Sequence, residues 1–331
     1  MPGPSVPPFS SRSKSRARPN QNRAPRALLL PQRGGCLGKS SVTRSNHSYV
    51  DAHGVRIHYY VWEAPEPKGM LQLTHGLGDH ALRYERFAQK LVAAGYTVYA
   101  DDHRGHGATG MEQYDDDTSK LGRLGNGGLR AATNDVRHLS AIIHAEHPDS
   151  PLVLLGHSWG SLMVQTVINK FSVDYDAVVL TGTAYRSLRH MNAGHLNAKH
   201  KHLGTTGFEW LSRDEAVAEE FVKDPLTFYA DARKLFGIID GLRLLGRPAR
   251  NLERNIPLLI MIGSEDSLGG EASVSKLAST YVSRSGLTDV EAVVYRQARH
   301  EIFNETNRDE VIKDLVAWLD AHLVKEPQEE P

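Results

Sequence analysis

The 331-residue sequence has one cysteine, Cys36, so no internal disulfide can form and stability does not depend on an oxidising compartment. No apolar run approaches the ~18 residues that a membrane-spanning helix needs. Net charge is missing too: Lys plus Arg and Asp plus Glu number 39 each, which argues against a nucleic-acid partner. Acidic residues are absent from Met1 to Ser48, where nine basic residues fall among Pro, Ser and Asn. With no apolar periodicity, residues 1–46 are expected to be a disordered basic tail. An Arg- and Ser-rich, acid-free start resembles an organelle transit peptide. The three leucines before Cys36 are too short for a lipoprotein signal. The expected location is the cytoplasm, with organelle import through the basic segment left open.

Hydrophobic residues make up 40% and charged residues 24% of the chain, the composition of a globular domain with a sizeable core. From about His47 the pattern alternates. "GVRIHYYVWEAP" reads as an early antiparallel strand, because apolar and polar residues take turns. Short apolar runs follow at "GMLQLTH", "YTVYADDH", "PLVLLGH", "DAVVLTG", "PLLIMIG" and "VEAVVYRQ", as strands buried on both faces of a parallel sheet require. Amphipathic stretches such as "YERFAQKLVAAG" and "RDEVIKDLVAWLDAHL" lie between them. This predicts one doubly wound α/β domain, with core over 47–183 and 256–325 and a disordered end at 326–331. Residues 184–255 contain no convincing strand and read as a helical cap over the carboxyl edge of the sheet. In the cap, Ser212 and Glu215 have the spacing of a capping box. "DPLTFYADARKLFGIIDGLRLL" is amphipathic, with Phe228, Tyr229, Phe236, Ile238 and Ile239.

Chemistry enters with "LVLLGHSWGSLMV". Gly156 and Gly160 flank Ser158 between an apolar strand and an apolar-periodic helix. Small residues at those spacings let strand and helix pass closely at a sharp turn that presents a serine Oγ. A serine hydroxyl needs a base, and the base needs an orienting acid. In nucleophile-elbow enzymes they follow in the order Ser, acid, His. Glu265 and Asp266 come just beyond the strand in "PLLIMIGSEDSL", and His300 lies in the loop after the last strand. His144, His147 and His190 read as surface residues. An oxyanion hole needs backbone N–H donors. Trp159 would supply one and Leu77, in the Gly-rich turn "HGLGDH" with Gly76, the other. His75 is expected to hold that turn by hydrogen bonding, and "DDHRGHG" to form a structural turn beside the site. No histidine spacing resembles a metal site.

Together, "HGLGDH", "DDHRGHG", "GHSWGS", "GSEDSL" and "ARHEIFNE" resemble the monoacylglycerol lipase and lysophospholipase-like (serine aminopeptidase-type) branch of the α/β-hydrolases, over about Tyr49 to Leu323. The resemblance implies an α/β-hydrolase fold, mostly parallel, with the cap inserted after the sixth strand. It implies Ser158 as nucleophile, Asp266 as acid, because that acid sits three residues after the strand-ending Gly263, and His300 as base. Leu77 and Trp159 become the oxyanion donors. Trp159 is bulkier than the Met of the animal lipases, which implies a narrower acyl pocket. The activity implied is hydrolysis of monoacylglycerol- or lysophospholipid-type esters through an acyl-enzyme, with no metal or organic cofactor. A small acyl ester would be the partner, with no nucleic acid and no obligate protein partner. Transient membrane contact through the cap stays open, as do an aminopeptidase-like activity, a C–C hydrolase or perhydrolase, and a ligand-binding module without turnover.

Overall fold

The computed structural model describes residues 44–192 and 194–324. Cys36, most of the basic tail and the end at 326–331 lie outside them. The core is an eight-stranded sheet in the order β1-β2-β4-β3-β5-β6-β7-β8. Its strands are β1 (Arg44–Val50), β2 (Arg56–Trp62), β3 (Gly69–Thr74), β4 (Tyr96–Asp101), β5 (Leu152–His157), β6 (Ala177–Thr181), β7 (Leu258–Gly263) and β8 (Val290–Tyr295). β1 and β2 pair antiparallel and β2 pairs antiparallel with β4, while β3 to β8 run parallel. This is the α/β-hydrolase arrangement.

Helices α1 (Glu85–Ala93) and α8 (Arg308–Leu323) cover one face of the sheet. On the other face lie α3 (Gly128–Glu146), α4 (Trp159–Phe171) and α7 (Gly270–Thr280), with α2 (Gly107–Gln113) at the β2 side. The apolar runs are explained by this two-sided cover. Along β5, Leu152 and Leu154 enter one core while Val153 and Leu155 enter the other, all fully buried, as alternation on a pleated strand demands. α1 buries Phe87, Ala88, Leu91 and Val92 on one stripe. Removing the Phe87 ring would cost about 3–5 kcal/mol.

Two boundaries differ from the sequence reading. Strand β1 begins at Arg44, inside the stretch read as tail, and pairs Arg44 with Trp62 through Val50 with Arg56. It is a polar edge strand, buried on neither face, so it carries no hydrophobic signal. The helix predicted to start from Ser212 is α5 (Glu215–Lys223), and its N-cap is Asp214, whose carboxylate accepts from Ala216 N–H. The Ser212 hydroxyl instead donates to the Asn304 carbonyl, fastening the cap to the core. Between β6 and β7 the chain carries α5 and α6 (Ala232–Leu244), the latter kinked at Gly237.

Candidate active site

Ser158 occupies the turn between β5 and α4 with φ 53° and ψ −124°. A non-glycine residue there is strained and persists only when its surroundings over-determine it. Here they do: Ser158 N–H donates to the Thr181 carbonyl at 3.0 Å and the Ser158 carbonyl accepts from Ser161 N–H at 2.9 Å. A Cβ on Gly156 would stand 2.7 Å from Ser161 Cα, and one on Gly160 would overlap the Thr74 carbonyl oxygen. Both glycines are thus required by the close crossing of strand and helix.

His300 and Asp266 reach the same edge from the loops after β8 and β7. His300 Nδ1 donates to Asp266 Oδ1 at 2.9 Å, and that oxygen also accepts from Leu268 N–H at 2.8 Å. Both side chains are buried. Burial alone would raise the Asp266 carboxyl, but the imidazole beside it and these hydrogen bonds hold it below the usual carboxylate range. With Nδ1 donating, Nε2 keeps its lone pair, and it has no protein partner among the described residues. Glu265, the other candidate acid, turns away and pairs with Lys199 at the surface. Gly182 leaves room for the imidazole, since a Cβ there would stand 2.9 Å from His300 Cε1.

The Gly76–Leu77 turn is held from beneath. His103 N–H donates to His75 Nε2 at 3.1 Å, so the ring proton sits on Nδ1, which donates to the Gly76 carbonyl at 2.7 Å. Burial keeps His75 neutral, well below the ordinary histidine value, and lowers His106 to about 3. His157, next to Ser158, is lowered to about 4 by burial and the nearby His300. None of the three competes as a base at neutral pH. Among the described residues, no loop or turn hydrogen bond uses the N–H of Leu77 or Trp159. Asp102 in "DDHRGHG" accepts from the N–H groups of Ala81 and Ala108 and from the Tyr60 hydroxyl, fixing that turn. His144, His147 and His190 are half-buried and hydrogen-bonded.

Ser158, His300, Gly76, Leu77 and Trp159 line one cavity of about 300 Å³, walled by Leu162, Phe228, Phe236 and Leu244. Trp159 is buried, packed between His106 and Phe236. Its polar wall was not legible in the sequence: Arg83 holds Glu301 at 2.9 and 3.0 Å and Asp79 at 2.9 Å. Those partners lie 218 residues apart in one case, beyond any local pattern. Among the described residues no group of three or more His, Cys, Asp or Glu could hold a metal ion.

The loop bearing His300 is laced to the cap segment 209–213. His300 and Glu301 N–H donate to the carbonyls of Trp210 and Leu211 at 3.3 and 2.8 Å. The Arg299 guanidinium donates to the Ser212 carbonyl at 2.7 Å, and Arg213 pairs with Glu305 at 2.8 Å. The Trp210 ring lies 4.5 Å from that of His300.

A family model described as "Serine aminopeptidase, S33" matches residues 65–307. The monoacylglycerol lipase of Mycolicibacterium smegmatis is 33% identical, over 86% of this chain and 99% of its own. The monoglyceride lipase of Mus musculus is 26% identical, over 82% of this chain and 88% of its own. Among solved structures, a thermostable carboxyl esterase from Bacillus coagulans superposes with a TM-score of 0.75 at 22% identity, covering 86% of this chain and 100% of that one. A soluble variant of the Saccharomyces cerevisiae monoglyceride lipase gives 0.67 at 19%, covering 88% and 99%. At those identities the two structures speak for the fold alone.

Proposed function

The chain belongs to the serine aminopeptidase S33 family, in its monoacylglycerol lipase-like branch, and is a carboxylic ester hydrolase; on that premise we propose that Ser158, His300 and Asp266 act as a catalytic triad on monoacylglycerol- or lysophospholipid-type esters. The observation that carries the reading is the orientation of His300. Asp266 takes Nδ1, and Nε2 is left free in the cavity that also holds the strained Ser158. His300 Nε2 takes the hydroxyl proton as Oγ attacks the ester carbonyl. Leu77 and Trp159 N–H hold the oxyanion, and Asp266 stabilises the imidazolium. The proton passes to the departing alcohol, and water activated by His300 then releases the acid from Ser158.

The walls of Leu162, Phe228, Phe236 and Leu244 suit an apolar acyl chain. An aminopeptidase would need a free carboxylate for the substrate amine. The acids of "RDEAVAEE" do not line the cavity, and Asp79 and Glu301 are taken by Arg83. Asp231, the third acid of the lining, caps α6 by accepting from Arg233 N–H, with Arg233 and Lys234 beside it. Exposed Ile238, Ile239 and Leu242 on α6 support transient docking of the cap on a membrane surface. We place the protein in the cytoplasm.

The test is labelling with a fluorophosphonate, on wild type and Ser158→Ala, followed by hydrolysis of a monoacylglycerol and of p-nitrophenyl esters of graded length. Labelling of wild type alone, with glycerol-ester turnover, is expected. Label without ester turnover would move the substrate to a peptide or a C–C bond. No label on folded wild type would leave a binding module.

A further inference from the structure

A second cleft of about 310 Å³ lies behind the catalytic cavity, between α3, α4 and the two ends of the cap. Its floor is apolar, built from Leu129, Leu162, Met163, Val167 and Leu244. Its charged lining is of one sign: Arg130, Arg137, Lys170, Arg186 and Arg243 border it, with no acidic residue.

Arg186 is the unusual member. It is only 5% exposed, and its one side-chain hydrogen bond runs from a terminal guanidinium nitrogen to Thr166 Oγ1 at 2.6 Å. Its Nε has no partner among the described residues, nor does any described carboxylate pair with it. The other deeply placed arginines differ: Arg104 sits between Asp51 and Asp135, and Arg83 between Asp79 and Glu301. A buried charge without a counter-charge is heavily penalised, and burial accordingly lowers the Arg186 guanidinium below its ordinary value. At the mouth, Arg243 is held by Asp240 at 2.6 Å, and Arg137 lies 4.0 Å from Asp174 while stacking over Phe171. Arg130 and Lys170 are exposed, and neither has an ion-pair partner among the described residues.

We propose that this cleft binds a single-tailed amphiphile with an anionic head, carboxylate or phosphate. The head is paired with Arg186 and steered by Arg130 and Lys170, and the tail lies on the leucine and valine floor. A purely inorganic anion would leave that floor unused, and a neutral lipid would leave Arg186 uncompensated. The site is separate from the catalytic chemistry and does not depend on Ser158 being a nucleophile. It touches that chemistry at two residues, since Leu162 and Leu244 line both cavities. An occupant would therefore press on the acyl pocket from behind.

The experiment is photo-crosslinking of the full chain with a diazirine-bearing dodecanoate, mapped by peptide mass spectrometry. The expected crosslinks fall within 129–137 and 163–171, positions that line this cleft and not the catalytic cavity. Unlabelled dodecanoate or dodecyl phosphate should compete at concentrations at least tenfold below those needed of a neutral dodecylglycerol ether or inorganic phosphate. The better of the two competitors tells a released fatty acid from a phosphate-headed lipid. Arg186→Gln should weaken labelling about tenfold. If that variant fails to fold, Arg130→Gln with Lys170→Gln, both at the surface, should do so, while the exposed Arg123→Gln should not. Crosslinks confined to the catalytic cavity would overturn the proposal. So would equal competition by the neutral ether or by inorganic phosphate, or labelling indifferent to the Arg130 and Lys170 changes.

Discussion

His300 and Asp266 meet through a single hydrogen bond of 2.9 Å, and that bond fixes which nitrogen of the imidazole is free to accept a proton. Asp266→Asn would keep the shape but place an amide where a carboxylate stands. The expected result is a fall in kcat of about 10³- to 10⁴-fold with KM little changed. Steady-state kinetics on a p-nitrophenyl ester reads it directly, and a loss confined to KM would contradict the role given to Asp266.

Glycines around Ser158 should respond to substitution according to the space beside them. Gly156→Ala and Gly160→Ala each force a methyl into occupied space and should destabilise by about 1–3 kcal/mol or more. Gly241, inside α6, has nothing within 4 Å of an added Cβ, so Gly241→Ala should stabilise by about 0.5–1 kcal/mol. Thermal unfolding of the three variants tests the contrast in sign.

Buried histidines should make stability depend on pH in mild acid. Burial holds His157 near 4, His106 near 3 and His75 well below the ordinary value. Their contribution is complete above about pH 6.5. It is lost as pH falls toward those folded values, because the unfolded chain takes up protons that the folded one refuses. His103 works in the opposite sense: burial lowers it, but Asp101 outweighs that and raises it, so its contribution is present below about 6.5 and fades as pH rises. Asp102 and Asp135 are likewise raised, here by burial, Asp135 to about 7, and work in the same sense as His103. The histidine part is therefore isolated by substitution: between pH 7 and pH 5 the urea midpoint of His106→Phe should fall less, or rise more, than that of the wild type.

Arg83 neutralises two buried carboxylates at the cavity wall. Arg83→Met would strand Asp79 and Glu301 and should cost about 3–5 kcal/mol of stability. Calorimetry would show it, and an unchanged Tm would mean that solvent reaches the pair.

Docking through α6 can be separated from chemistry. Replacing Ile238, Ile239 and Leu242 together by Ser should leave hydrolysis of a short soluble ester unchanged while weakening sedimentation with phospholipid vesicles. Each side chain withdrawn from water is worth roughly 1.5–3 kcal/mol, so a loss of at least tenfold in vesicle binding is expected.

The parallel strands were legible because β5, β6 and β7 are apolar on both faces and β3, β4 and β8 largely so, and the elbow because Gly156 and Gly160 answer to contacts with their own helix and the neighbouring strand. Strand β1 was not legible, since an edge strand open to solvent has no apolar alternation to display. The Ser212 capping box misled because Ser212 bonds to Asn304, 92 residues away, leaving Asp214 to cap the helix. Between Glu265 and Asp266 the residues alone could not choose. Their separation is one of direction, one toward His300 and the other toward Lys199, and direction is set by the backbone after Gly263. The Arg83 wall and the lone Arg186 depend on partners, or their absence, that only the folded chain assembles.

The lacing of segment 209–213 to the His300 loop divides the cap mechanically. Those residues form a fixed jaw: lifting them would drag the imidazole away from Asp266 and dismantle the site on each opening. Traffic of substrate must therefore pass along a wall not tied to that loop, such as the side of α6, whose Ala232, Phe236 and Leu244 line the cavity. Stiffening that side should slow turnover, whereas stiffening the fixed jaw should leave it untouched.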